Sequence, residues 1–258
     1  MTNPTMKNTI KITALMTFLL MFVVLLQAEA QQDKLPTNDG EVTIIPINHA
    51  TLALKWKNEV VYFDPSGDMG LFKDVTAPTI ILITDIHGDH FNLSTLNNLN
   101  AANLKIIAPK AVVDQLPKNF INVKILSNSE SANINGIDIQ AIPMYNLPES
   151  DDSRHPKGRG NGYVLTIGGN RIYVSGDTED IQEMRALEGI DVAFVCMNLP
   201  YTMDVDAAAS AVVEFEPQIV YPYHFRGKGG YSDVDKFKEL VISQNNSIDV
   251  RLRKWYDK

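Results

Sequence analysis

Four residues able to bind a metal ion stand close together in the run Thr84-Asp85-Ile86-His87-Gly88-Asp89-His90. Imidazole and carboxylate ligands in mixture suit zinc, manganese or iron, and the absence of nearby thiols removes the usual thiolate arrangement of a structural zinc. The residues before them, Ile80 to Ile83, are continuously apolar and read as a buried strand. A rigid strand running straight into four ligand-type side chains aims them. The competing reading, polar residues that merely cap the following helix, is the general risk of any short motif.

The same design occurs at two further places. Arg171 to Val174 is followed by Ser175-Gly176-Asp177-Thr178, and Gln218 to Tyr223 by His224. Taken singly, Asp177 could be a helix cap and His224 an ordinary buried histidine. Three apolar runs that each deliver ligand-type residues at their ends predict that the ends converge. Between them, the run Ala141-Ile142-Pro143-Met144-Tyr145-Asn146 offers Asn146, with His155 nine residues on. The segment Ser153 to Gly160 concentrates positive charge, so that Lys157 and Arg159, folded over a site, could bind a substrate phosphate or carboxylate; a solvated loop explains the same residues equally well. His49, after the first apolar run, could lie near the site but reads first as structural. Tyr145, Tyr201 and Phe225 are pocket walls or core.

The elements that must hold these groups follow from periodicity. Val42 to Ile47, Thr51 to Trp56 and Val60 to Phe63 read as an antiparallel meander after a polar leader, Gln31 to Gly40. From Thr79 onward apolar runs (Ile80 to Ile83, Lys105 to Ala108, Ile137 to Ile142, Val192 to Val195) alternate with helical patterns. Those helices are expected at Leu93 to Leu99, Ala111 to Leu116, Ile181 to Leu187, Val205 to Glu214 and Asp233 to Gln244. Asp204 and Ser232 are the expected N-caps of the last two. Alternating strands and helices in both halves predict a layered α/β protein, sheets packed together and helices outside. The Pro- and Gly-rich stretch from Leu147 to Gly162 is too long for an ordinary connection, and loops of that length are often functional.

Residues 1–30 are set apart. Lys7 and Lys11 precede an apolar run from Ile12 to Leu26 that ends in Ala28-Glu29-Ala30, the pattern of a secretory signal peptide. The run falls short of the roughly 20 residues needed to span a bilayer. Residues 31–258 are therefore expected as a single exported domain, periplasmic or secreted, with no stable membrane anchor. The chain carries a net charge of −8, which argues against nucleic acid as a partner, since that usually requires a basic face. Its single cysteine, Cys196, cannot form an internal disulfide and sits in an apolar run as a small buried hydrophobe.

With these residues in view, the chain resembles the metallo-β-lactamase superfamily, in its metal-dependent hydrolase branch that includes lactonases and phosphodiesterases. The family signature is His-x-His-x-Asp-His after a strand, then a separate His, an Asp and a last His. The match is specific at His87, Asp89, His90, Asp177 and His224. The resemblance implies a four-layer αβ/βα sandwich with one or two metal ions at one edge of the sheets, zinc first, with manganese or iron as alternatives. It implies that Asp177 bridges two ions and that Asp89, His90 and His224 serve the second. Asp89 and His87 are then the candidates for the catalytic step, hydrolysis of a small-molecule ester, lactone, amide or phosphodiester by an activated hydroxide.

Two departures bear on this. Asp85 stands where the family has its first His, and a harder, anionic ligand there favours manganese or iron. At the separate-His position the chain offers Asn146, as a weak ligand or a substrate contact, or else His155. These departures keep open a metal-binding or interaction protein of the same fold that has lost catalysis. Asp177, where antibiotic-degrading enzymes commonly place a Cys, argues against β-lactamase activity; export and negative charge argue against a nuclease.

Overall fold

A computed structural model describes residues 32–256; the expected signal peptide and its cleavage point lie outside them. Two sheets of seven strands each form the centre. The first runs β1 (Asp33–Thr37), β2 (Gly40–Asn48), β3 (Thr51–Trp56), β4 (Glu59–Phe63), β5 (Ile80–Leu82), β6 (Lys105–Ala108) and β7 (Val123–Ile125), in that spatial order. The second comprises β8 (Ser131–Ile134), β9 (Ile137–Met144), β10 (Gly160–Ile167), β11 (Asn170–Val174), β12 (Val192–Cys196), β13 (Ile219–Tyr223) and β16 (Asp249–Val250), again neighbour to neighbour. A small hairpin, β14 (Arg226–Gly227) and β15 (Gly230–Tyr231), stands apart from both.

Each sheet begins with antiparallel pairs and ends with parallel ones: β2 to β4 pair antiparallel and β4 to β7 parallel, while β8 to β11 pair antiparallel and β11 to β13 and β16 parallel. The parallel connections need crossover helices. In the first sheet α1 (Leu93–Leu99) and α2 (Lys110–Val113) carry the last two, while the β4 to β5 crossover passes through a 3-10 turn, Met69–Phe72; α3 (Gln182–Arg185), α4 (Val205–Phe215) and α5 (Val234–Gln244) carry those of the second.

Side-chain alternation along the strands sorts the apolar residues into two cores. Ile80 and Leu82 of β5 join Ile44, Leu54, Ile139 and Leu165 between the sheets, whereas Ile81 and its continuation Ile83 face the other way, onto Leu96 and Val112 of the helices. A continuously apolar run is what a strand covered on both faces requires. Truncating one such side chain to alanine costs about 2–5 kcal/mol. The four-layer α/β arrangement expected from the sequence is the one found.

Local expectations fail where short-range chemistry competes. The polar leader is strand in part, because β1 adds to the edge of the first sheet. Ser232 does not cap α5: Asp233 does, its carboxylate accepting from Lys236 N at 2.9 Å. Asp204 caps α4 as expected, and the helix stops at Glu216, which takes a left-handed φ of 47°. The helices expected at 111–116 and 181–187 shrink to single turns. The long stretch after β9 ends at Arg159, since Gly160-Asn161-Gly162 is already β10. Among the described residues no helix is long and apolar enough to cross a membrane.

Candidate metal centre

The carboxyl ends of parallel strands are where open α/β sheets bind ligands, and here the ends of both sheets meet. β5 delivers Thr84, Asp85, His87, Asp89 and His90; β11 delivers Asp177; β13 delivers His224; β9 leads to Asn146. The chain has five histidines, and all of them, His49, His87, His90, His155 and His224, belong to clusters able to hold a metal ion.

Asp177 sits at the centre. Its Oδ2 lies 3.3 Å from His90 Nε2 and 3.3 Å from His155 Nε2, and its Oδ1 lies 3.0 Å from His224 Nε2. On one side, Asp85, His87 and His155 form one group of ligand atoms; on the other, His90, Asp177 and His224 form a second, with Asp89 close to His224 at 3.6 Å. The turn that places Asp177 depends on Gly176, whose φ is +63° and where a Cβ would meet Met144 Sδ at 2.7 Å. Any L side chain there would be strained and crowded.

The donor set fits a cation better than a hydrogen-bond network. His155 Nε2, Asp177 Oδ1 and His87 Nδ1 are buried without a hydrogen-bond partner, although each has an oppositely polarised atom within ion-pair distance. His90 Nε2 and His224 Nε2 face each other at 3.2 Å, a pairing that one proton or a shared cation can reconcile. Burial opposes a charged His90 imidazole, yet Asp177 and Asp64 outweigh it and hold its pKa well above the usual value. The field that draws a proton to that nitrogen also draws a metal ion. Burial likewise opposes the Asp177 carboxylate, but His224 and His90 keep it ionised well below the ordinary range.

Outer groups fix the imidazoles. His90 Nδ1 lies 2.8 Å from the buried Asp64 carboxylate and 3.0 Å from Thr84 Oγ1, so Nε2 is the nitrogen turned to the centre. Asp64 also accepts from Thr84 N at 2.7 Å and Thr84 Oγ1 at 2.6 Å. A carboxylate behind a ligating histidine sets its tautomer and raises its basicity. Sequence reading passed over Asp64, although β4 runs into it just as β5 runs into Asp85.

Asn146, expected as a weak ligand or a substrate contact, turns its polar atoms to His155, Glu179 and Tyr201. Its side-chain oxygen accepts from His155 N at 2.8 Å and lies 3.1 Å from His155 Nδ1, while its amide donates to Glu179 at 3.0 Å and to Tyr201 O at 2.8 Å. With all its polar atoms engaged, Asn146 holds the ring whose Nε2 meets Asp177. His155, not Asn146, is the residue that lies beside Asp177 and clusters with Asp85 and His87. The 147–154 loop brings it there, closed at its base by Asn146 N donating to His155 O at 2.9 Å.

Arg159 and Lys157, expected as substrate contacts or as part of a solvated loop, both make ion pairs within the chain. Arg159 spans Asp85, Nε to Oδ1 and Nη2 to Oδ2 at 3.3 Å each. Asp in place of a neutral His adds a negative charge that this guanidinium offsets. Burial would raise the Asp85 carboxyl, but His87, His90 and Arg159 bring it down to about 2. Lys157 pairs with Glu183 at 3.0 Å and Glu149 at 3.5 Å and lies over the Tyr145 ring, contacts that include none of the clustered ligands. His49, expected as structural, is at the centre's edge, with Nε2 3.4 Å from Asp89 Oδ2. Asp89 is the most open of the acidic ligands, its side chain 39% exposed. Tyr145 and Phe225 are buried; Tyr201 stacks under the Arg154 guanidinium.

A family model described as a beta-lactamase superfamily domain matches residues 43–224. A metal-dependent hydrolase of Pyrococcus abyssi is 31% identical over 177 residues, covering 66% of this chain and 76% of that protein. Among solved structures, a Parabacteroides distasonis protein named as a metal-dependent hydrolase is 37% identical with a TM-score of 0.78, covering 88% of this chain and 99% of that one. A metallo hydrolase of Ignicoccus hospitalis, 20% identical over 84% of this chain and 96% of its own, has a TM-score of 0.71 and shares the fold.

Proposed function

Because the chain belongs to the metallo-β-lactamase superfamily, we propose that it is a metal-dependent hydrolase of small molecules carrying an ester, lactone, amide or phosphodiester bond. The observation that carries this reading is the Asp177 carboxylate, buried and within 3.3 Å of three imidazoles from three separate segments of the chain.

In this reading Asp85, His87 and His155 hold one cation, Asp89, His90 and His224 a second, and Asp177 is shared. Zinc is the first expectation, and the carboxylate at position 85 suits manganese or iron as well. Cations so bound supply Lewis acidity and make water a better nucleophile at neutral pH. The chain's own residues do the rest. Asp64 and Asn146 hold the imidazoles in one tautomer. Asp89, the open carboxylate, stands where it can orient an attacking water and take up its proton, with His87 beside Asp85 at the same mouth. Arg159 balances Asp85. Export to the periplasm or medium after removal of residues 1–30 completes the proposal.

The test is metal content and turnover in parallel. Protein loaded separately with zinc, manganese and iron is assayed against ester, lactone, amide and phosphodiester panels. Asp177→Ala should lose both cations and reduce turnover by more than about 100-fold, since even groups behind the ligands reach that scale. Metal uptake without turnover of any panel member would favour a binding protein; full turnover by Asp177→Ala would refute the site.

A further inference from the structure

His49 is the one histidine that the family reading leaves without a task, and it touches two of the ligands named in it. Its backbone is constrained as tightly as its side chain. Both His49 and His224 adopt left-handed φ, 55° and 46°, which non-glycine residues hold only when the surroundings over-determine them. The two are tied by His224 N donating to His49 O at 3.2 Å. Their rings meet edge to face, with centroids 4.0 Å apart at 78°.

In the metal-loaded centre the contacts leave one consistent assignment. With a cation held through Nε2, the atom His224 turns to Asp177 and to His90 Nε2, its proton belongs on Nδ1. There it meets His49 Nδ1 at 3.2 Å. Tyr256 Oη lies 2.8 Å from the same His49 nitrogen and already accepts from Arg226 N at 3.1 Å, which leaves its own hydroxyl proton to give. Two donors converge on His49 Nδ1, and both require a lone pair on it. The His49 proton is then on Nε2, facing Asp89 Oδ2 at 3.4 Å.

We propose that His49 is a positioning residue of the metal centre, accepting from His224 through Nδ1 and donating to Asp89 through Nε2, so that one neutral ring orients two ligands of the same cation. It does for His224 what Asp64 does for His90 and Asn146 for His155. A carboxylate in its place would add charge to a centre that already holds Asp85, Asp89 and Asp177; a neutral imidazole supplies an acceptor to one ligand and a donor to the other. Tyr256 holds the ring from behind and links the centre to the last residues of the described chain.

The inference rests on the metal-dependent reading, and its test separates the two. Full-length wild-type protein, His49→Phe, His49→Gln and Tyr256→Phe are titrated with zinc against a competing chelator, with elemental analysis at each step and melting of the metal-free forms as a control. His49→Phe should weaken the cation on the Asp89, His90 and His224 side by about 10–100-fold, with the Asp85, His87 and His155 side unchanged. His49→Gln should recover part of that loss, because an amide offers both an acceptor and a donor. Nitrogen-15 NMR of zinc-loaded wild type should place the His49 proton on Nε2. Unchanged affinity in His49→Phe, a proton on Nδ1, or a metal-shifted Nε2 that marks His49 as a ligand would each overturn the inference while leaving the hydrolase reading intact. Wild-type protein that takes up no metal would overturn both. If His49→Phe does not fold, the wild-type proton position decides.

Discussion

The side-chain oxygen of Asn146 lies 3.1 Å from His155 Nδ1 and accepts from His155 N at 2.8 Å. One amide thus fixes both the backbone and the ring of the residue that completes the Asp85 and His87 side. The consequence reverses what the sequence alone suggests. Asn146→His, which would restore an imidazole at that position, should weaken metal binding, because it removes the acceptor that aims His155. Asn146→Ala should lower affinity on that side by about 10–100-fold, and His155→Ala should cost more. Chelator competition with elemental analysis measures all three; tighter binding in Asn146→His would contradict the arrangement.

Asp64 offers a stability test. It is fully buried and its carboxylate is shared among Thr84 N, Thr84 Oγ1 and His90 Nδ1. Removing one partner of a buried, hydrogen-bonded charge pair costs about 3–5 kcal/mol. Asp64→Ala should shift urea unfolding of the metal-free protein by that order and lower metal affinity together. Asp64→Asn should lose less stability, as its oxygen still accepts from Thr84. A midpoint unchanged in Asp64→Ala would show that His90 is held by other contacts.

Cys196 bears on pH. Burial first, with Asp177 adding to it, pushes the thiol up from 9.0 to about 11. In the unfolded chain the thiol ionises at the lower value, so above pH 9 the unfolded state binds fewer protons than the folded one. Stability from this group is whole below pH 9 and declines as pH rises towards 11. Native protein at pH 8 should therefore resist iodoacetamide, and urea-unfolded protein should react fully. Cys196→Ala should flatten the alkaline part of the stability profile. Rapid alkylation of the native thiol would place Cys196 somewhere other than the sheet interior.

Residues 1–30 make a separate prediction. Charged start, apolar run and Ala-x-Ala end predict a mature N-terminus at Gln31. Intact-mass measurement of exported protein should show the loss of thirty residues, and an exported species that still carries Ile12 to Leu26 would refute the cleavage.

The sequence by itself determined which strand ends carry the clustered His and Asp residues and the order in which they come. A short, β-branched apolar run bounded by turn residues reads as a buried strand, and a polar cluster directly after it emerges at the strand's end. β3, β6 and α1 fall at the residues that periodicity marks, and Asp85, His87, His90, Asp177 and His224 converge as their strands predict. Tertiary structure alone decided the roles that depend on what lies behind a ligand. Whether Asn146 or His155 faces the centre turns on the path of a loop, which has no period to read. Asp64 and His49 look like ordinary residues after ordinary strands until the strands lie side by side. Arg159 carries the same charge in a solvated loop as against Asp85, and only the fold brings that charge to the carboxylate. Local periodicity is a property of neighbours in the chain, whereas a hydrogen bond from His90 to Asp64 or from Tyr256 to His49 is a property of segments that meet only when both sheets have formed.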